Sequence, residues 1–448
     1  MGISKDIAQD LFRIQKLSSR DKEQINSLII DFFAAAYAGY KLNRSLNLPL
    51  ERVMLSTKVG KESYVLFKND KYPVRTAAFM NAIYGHGAEL DDGNKKAAGH
   101  AGVHLIPAVF ALADKIGSSN DDVLIALATG YEAYIRISSA AMPGMVKRGF
   151  HSTGMTGTLA CAAACARLYH LDAPGIENAI SLATTMTGGL LSYGDSHPEV
   201  KPLNPAKAAE NGIFAAMLAN EGVKGPREAL EGPNGWFHAV TDSYDSEMLR
   251  GAEDGQLLLH DCYIKQYPSC RHTHCGIDAG ISLHKKVHYS KIEKVEVYIY
   301  PNAIKLAGIK YPNSQDETKF SIYYTLACSL VNGKYGISDM IASEMSKEVK
   351  EFIGKIELIP DESMEDRSKG IRGTRIIVYL KNGKFYEETV LTPKGDPENP
   401  LAKDEVIEKL RTCSEGLADE AELARIINAI EKINETGRFE NPMSFIGE

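Results

Sequence analysis

Residues 153–170 read TGMTGTLACAAACARLYH, with an alanine- and cysteine-rich centre at 160–166. Apolar residues surround this helical wheel instead of forming one stripe, so the segment belongs in the interior of a large bundle. Its small side chains let neighbouring helices approach closely. Cys161 and Cys165, four apart on that helix, read as small core residues. Outward in both directions the same 3.6-residue period recurs. Residues 21–38 carry an apolar face through Ile25, Leu28, Ile29, Phe32, Phe33 and Ala36, closed by Gly39. Further helical stretches are expected near 74–88, 105–116, 122–140, 174–188 and 205–221. After about residue 266 the period changes. Val295, Val297 and Ile299 alternate with polar or aromatic residues as a strand does, and 375–391 reads as a hairpin turning at Asn382-Gly383. Residues 316–333 return to helical spacing, as does the charged tail at 402–434. The fold class that follows is mainly α. A large all-helical domain takes 1–265 and 402–448, and a smaller α+β lid domain takes 266–401.

The bulk numbers agree with two domains. A chain of 448 residues exceeds one ordinary core, and 44% apolar with 24% charged residues is normal for a globular protein. A formal charge of −7 and the lack of a basic run exclude nucleic acid as a partner. No apolar run nears the roughly 18 residues of a membrane span. The start, Met-Gly-Ile-Ser-Lys-Asp-Ile, has no apolar signal core and lacks the Ser or Thr that myristoylation needs at Asp6. The seven cysteines are scattered with no CxxC pair, which argues against disulfides or structural zinc. The expectation is a cytoplasmic protein with reduced thiols and no membrane partner.

Titratable residues crowd beside glycine and proline in five stretches: His86 to Asn94 with Gly99-His100-Ala101-Gly102, Gly149 to Gly154, Val200 to Pro205, Lys265 to His274, and Phe320 to Tyr324. Each has a plainer reading. Glu89, Asp91 and Asp92 end an apolar helix, where acids usually face water. His100 and His151 sit where loop histidines cap or solvate, Ser152-Thr153 reads as a helix N-cap, and Lys201 as a solvated cation. The segment 265–274 resists that treatment. Lys265, Arg271, His272 and His274 interleaved with proline and tyrosine make a poor solvent loop and a good anion pocket. His272-Thr273-His274 supplies too few ligands for a metal, so none is expected. There is no GxGxxG after a strand, no Walker loop and no G-x-S-x-G elbow, so neither a nucleotide cofactor nor a serine hydrolase is indicated. What remains is His, Lys, Arg and Tyr with no cofactor, a set suited to binding carboxylates and moving a proton beside one.

In this order the five stretches resemble the successive motifs of the MmgE/PrpD family, over residues 5 to about 435. His86-Gly-Ala-Glu-Leu-Asp-Asp, His100 to Pro107, Gly149-Phe-His-Ser-Thr-Gly and Lys265 to His274 carry the likeness. The resemblance implies a helical domain built from both chain ends, an α+β lid, a homodimer and a site in the cleft between domains. It matches the family's histidines to His100 and His151, its lysines to Lys201 and Lys265, and its lid tyrosine to Tyr324. The acid heading the Asp-Asp pair is Glu89 here, where decarboxylase-like members carry Asp. A lid histidine of those members falls on Cys270, and a threonine after the pair is Gly93. The Lys-x-Leu-His of many members reads Lys201-Pro-Leu-Asn204, and a tyrosine that some members place before Gly-Phe-His is absent from the stretch at Met145-Val146.

The expected mechanism follows. Lys201, Lys265 and Arg271 hold the carboxylates of a small di- or tricarboxylate, with Glu89, Asp91, Cys270 and His274 completing its surroundings. His100 or His151 takes the proton α to a carboxylate, and the other, or Tyr324, returns one; Lys201 helps stabilise the developing charge. Loss of a β-hydroxyl makes a hydro-lyase such as a 2-methylcitrate dehydratase, the preferred reading. Loss of carbon dioxide makes a cis-aconitate-type decarboxylase, and reprotonation an epimerase. A carboxylate-binding protein without catalysis is the non-enzymatic alternative.

Overall fold

Ser18 opens the helix Ser19–Leu42 as a capping box: its hydroxyl accepts from the Asp21 N–H, and the Asp21 carboxylate accepts from the Ser18 N–H. Every residue from Leu28 to Gly39 is buried, so this helix is interior for most of its length. The computed structural model describes residues 2–56, 60–195, 198–251, 255–341, 345–366 and 370–447. Long helices follow at Val74–His86, Gly102–Ile116, Asn120–Ala141, Ser152–Leu168, Ala173–Thr184 and Leu203–Asn220. Their periods were legible because burial selects one residue class at fixed spacing. Ile3–Phe12 and Arg44–Met54 are among the helices not anticipated; the second contains Pro49 and buries only Asn47.

The alanine–glycine composition has the expected consequence. A β-carbon added at Gly212 would lie 2.2 Å from Cys161 Cβ, and one at Gly157 would lie 2.7 Å from the His104 ring. The backbones of Ser152–Leu168 and Leu203–Asn220 therefore meet at distances that only glycine permits. His104, buried there, has its pKa pushed down to about 3, chiefly by burial, so it remains a neutral packing group.

The chain divides into two units. The first takes Met1–Gly87, Asp91–Tyr263 and Lys403–Glu448; the second takes Ile264–Ala402 together with the three residues Ala88–Leu90, which the sequence reading had left in the helical domain. Overall the protein is mainly α with a smaller α+β region. The second unit holds a four-stranded sheet ordered Phe385–Val390, Thr374–Leu380, Ile292–Ile299, Ile356–Pro360. The Asn382-Gly383 hairpin pairs Phe385 with Tyr379, and Gly383 takes the left-handed φ of 80° that the turn requires. Ile292–Ile299 and Ile356–Pro360 run parallel, a pairing with no local signal in the chain. Helices His274–Lys286 and Ile322–Asn332 complete the unit.

The C-terminal helices Lys403–Ser414 and Glu420–Lys432 belong to the first unit. Lys409 reaches back to form a buried ion pair with Asp31, and Glu422 accepts from the Tyr37 hydroxyl at 2.7 Å. Removing one partner of a buried pair strands the other charge in a medium that cannot solvate it. Lys409→Met is therefore expected to lower stability by about 3–5 kcal/mol, and Asp31→Leu combined with Lys409→Met to recover most of that loss. Urea unfolding of the two variants would measure both effects.

Candidate active site

The helix Val74–His86 ends in a loop that returns at Gly102, and within the first unit this loop gathers the histidines. His86 Nδ1 lies 2.8 Å from Asp91 Oδ2, and His100 Nδ1 lies 3.2 Å from the same oxygen. His100 Nδ1 is also 2.6 Å from the Asp92 backbone carbonyl. Burial alone would raise the Asp91 carboxyl. The charges of His100 and His86 and the hydrogen bonds from both rings outweigh it and hold Asp91 well below the usual carboxylate range. Its neighbour goes the other way. Burial, then the charges of Asp31 and Asp91, push Asp92 up to about 8, against the Gly102 N–H and the Tyr131 hydroxyl that donate to it at 3.0 and 3.1 Å. Adjacent carboxyls in one loop thus hold opposite protonation states at neutral pH.

Ser152 and Thr153 were read as an N-cap. Instead the N-cap residue is His151, without a side-chain cap, and both hydroxyls turn to the loop. Ser152 donates to Ala98 O at 2.6 Å and Thr153 Oγ1 accepts from the His100 N–H at 3.3 Å. The backbone fits so closely there that a β-carbon on Gly99 would meet the Tyr134 hydroxyl at 2.2 Å. Gly93 is similarly constrained: a β-carbon would meet the Tyr263 hydroxyl at 2.4 Å.

Three imidazoles cluster. The His86 ring lies 4.9 Å from His100 and 6.2 Å from His151, centroid to centroid. His151 contacts the Tyr193 ring at 5.5 Å, and the Lys201 ammonium sits 6.0 Å over that same ring. His151 Nδ1 faces Asn204 Nδ2 at 3.0 Å. The first unit therefore brings His100, His151, Lys201 and Asp91 together, and adds His86, Asn204 and Tyr193. In the sequence His86 stands out only as the start of a motif. Its position at the end of an apolar helix, after Ile83-Tyr84-Gly85, disguised it as a terminus.

The second unit holds the remaining candidates. Glu89 is buried with a left-handed φ of 55°, a conformation unfavourable for any residue with a side chain. Lys265, itself buried, donates to the Glu89 carbonyl at 2.8 Å and to its carboxylate at 3.3 Å, which holds that turn. Arg271 pairs with Asp396 and donates to His274 Nδ1 at 2.8 Å. A guanidinium can only donate, so His274 carries its proton on Nε2, which faces Ser269 O at 3.3 Å. The Cys270 N–H donates to Lys319 O at 2.9 Å, and its side chain is partly exposed. The Tyr324 hydroxyl donates to Asp339 O at 2.6 Å; burial, then the neighbouring Cys328, raise it above the ordinary tyrosine value. Among the described residues, the ligand-type atoms of His86, Asp91 and His100 lie within 4.8 Å of one another, a spacing that suits a cation. Hydrogen bonds to a shared carboxylate oxygen account for that geometry here.

Residues 9–249 match the MmgE/PrpD N-terminal domain, and residues 267–435 match the MmgE/PrpD C-terminal domain. The chain belongs to the MmgE/PrpD family. Among curated proteins, this MmgE/PrpD chain is 27% identical over 393 residues to the cis-aconitate decarboxylase-like protein oryM of Aspergillus oryzae, covering 82% of this chain and 81% of the relative. It is 27% identical over 356 residues to the cis-aconitate decarboxylase of Homo sapiens, covering 76% and 73%. The cis-aconitate decarboxylase of Aspergillus terreus is 24% identical over 432 residues, covering 90% and 87%. No described helix of the chain is long and apolar enough to cross a membrane.

Asp92 gives a test of these electrostatics. Its folded value of about 8 lies above the ordinary 3.8, so the folded state retains a proton that the unfolded chain has released. The stability this contributes is fully present below about pH 4 and is lost as pH rises through about 8. Asp92→Asn keeps the shape and removes the titration. Across that window the wild type should lose melting temperature relative to Asp92→Asn, as followed by thermal denaturation in buffers of increasing pH.

Proposed function

We propose that this MmgE/PrpD protein is a lyase acting on a small di- or tricarboxylate, and that it begins by removing the proton α to a carboxylate. The observation that carries the reading is His100. Its Nδ1 faces a backbone carbonyl and an ionised carboxylate, both of which can only accept, so Nδ1 bears the proton. When the ring is neutral its lone pair is then on Nε2, which is the form a general base needs. Lys201 and Lys265 supply the cations that bind carboxylates and stabilise negative charge developing on an enolised one. Neither a nucleotide nor a redox group enters the scheme.

A hydro-lyase is the preferred outcome, with proton removal followed by loss of a β-hydroxyl. Two departures support it over decarboxylation: Glu89 and Cys270 stand where decarboxylase-like members have aspartate and histidine. The decarboxylase reading is favoured by the names of the relatives given above, which are cis-aconitate decarboxylases or decarboxylase-like. Only the hydro-lyase route needs the α-proton to leave; decarboxylation leaves the C–C electron pair on carbon, where a proton donor must meet it.

Proton NMR in deuterated water, with a panel of citrate- and aconitate-type acids, separates them. A hydro-lyase yields an alkene with all carbons kept, whereas a decarboxylase yields a product one carbon shorter. His100→Gln is expected to lose turnover by about 10²–10⁴-fold together with α-proton exchange. Retained exchange in that variant would remove His100 as the base. Lys265→Ala should raise KM more than it lowers kcat, and steady-state kinetics showing an effect on kcat alone would contradict a binding role.

A further inference from the structure

We propose that Asn204 is a positioning residue that fixes the proton of His151 on Nε2, so that His151 presents an N–H hydrogen-bond donor while His100 presents a lone pair and acts as the base. The inference rests on the proton-transfer reading above and sharpens it.

Asn204 lies in the first turn of the helix Leu203–Asn220, three residues after Lys201. Its Nδ2 is 3.0 Å from His151 Nδ1 and 3.4 Å from the Leu190 carbonyl oxygen. A backbone carbonyl cannot donate, so the half of the amide that faces it is the NH2 group. That group has no lone pair to offer, so His151 Nδ1 must be the acceptor, and it is unprotonated. A neutral imidazole with a bare Nδ1 carries its proton on Nε2. The backbone holds this arrangement in register. The His151 N–H donates to Gly189 O at 3.1 Å and the Leu191 N–H donates to Gly149 O at 2.8 Å, so that Phe150 and Leu190 form a bridge. His151, Leu190 and Asn204 are therefore held in a fixed mutual geometry by this bridge.

His100 has the complementary form. Its Nδ1 proton is pinned by the Asp92 carbonyl, which leaves the lone pair on Nε2. Two histidines grouped around His86 thus differ in which nitrogen holds the proton, one offering a lone pair that can take a proton and the other an N–H that can hydrogen-bond developing negative charge. They also differ in what enforces it. Main chain sets His100 and no substitution can reverse it, whereas a single amide sets His151.

Nitrogen NMR of the protein labelled with 15N-histidine reads the tautomers directly, with no substrate present. Long-range 1H–15N correlations at alkaline pH, assigned by their loss in His100→Gln and His151→Gln, should show Nε2–H for His151 and Nδ1–H for His100. Asn204→Asp places a group that can only accept against His151 Nδ1, so the His151 pattern should invert while His100 stays unchanged. A wild-type His151 protonated on Nδ1, or an Asn204→Asp spectrum with His151 unaltered, would overturn the proposal. A substrate found in the panel adds a second arm. Asn204→Asp should lose about 10²-fold in product formation yet retain α-proton exchange with deuterated water. Equal loss of both would refute the division of roles. If the wild type exchanges no acid in the panel, the lyase reading fails, and the spectra still decide what Asn204 does.

Discussion

Asp91 Oδ2 accepts from two imidazole N–H groups at a position closed to water, and much of the surrounding chain follows from keeping that oxygen charged. A bare carboxylate at such a depth would be costly, and two flanking rings reverse the cost only at hydrogen-bonding distance. The helix Val74–His86 must therefore end with His86 turned inward, and the loop must return His100 to the same point after fourteen residues of chain (86 to 100). Ser152, Thr153 and the absent side chain of Gly99 make room for that return and tie it down. Asp92 beside it stays protonated near neutrality chiefly because it is buried, with the charges of Asp31 and Asp91 adding to the effect. One shared acceptor thereby orders two histidines and contributes to the state of a second acid.

The two units manage charge in different ways. In the first, rings and carboxyls control one another through shared protons. In the second, ammonium and guanidinium groups are matched by acids, Lys265 by Glu89 and Arg271 by Asp396. An arriving carboxylate would have to compete with those acids for the same cations. That competition discriminates by charge and geometry, because only a ligand presenting anions at the right separation gains more than the internal pair gives up.

Periodicity made the helical part of the fold legible in the sequence, since burial on a helix imposes a spacing that survives any change of neighbour. Asn382-Gly383 exposed the hairpin for a similar reason: the turn needs a left-handed residue, and few residues tolerate that conformation. The parallel partner at Ile356–Pro360 left no trace, because its pairing is with residues about sixty positions away. The candidate site divides along the same line. Residues with distinctive chemistry beside glycine or proline in loops, His100, His151 and Lys265 among them, stood out. The Arg271–Asp396 pair spans 125 positions and could not be read locally. Ser152 and Thr153 looked like a cap because their spacing fits one, and tertiary contacts with Ala98 and His100 claimed their hydroxyls instead. Asn204 was noted only as a departure from the family's histidine. Its effect depends on a carbonyl at Leu190 that sequence does not position.

The Asp31–Lys409 pair also constrains how the protein is made. Its partners are 378 residues apart in the chain. At ribosomal speeds of about 5–20 residues per second, Lys409 emerges roughly 20–75 s after Asp31. In that interval Asp31, whose charge bears on Asp92, waits without the cation that balances it. The helical unit therefore cannot reach its final electrostatic state during translation. The intervening α+β unit, Ile264–Ala402, leaves the ribosome whole before the last piece of the first unit arrives. A nascent chain stalled short of residue 409 would hold a nearly complete helical unit in which Lys409 has yet to join Asp31.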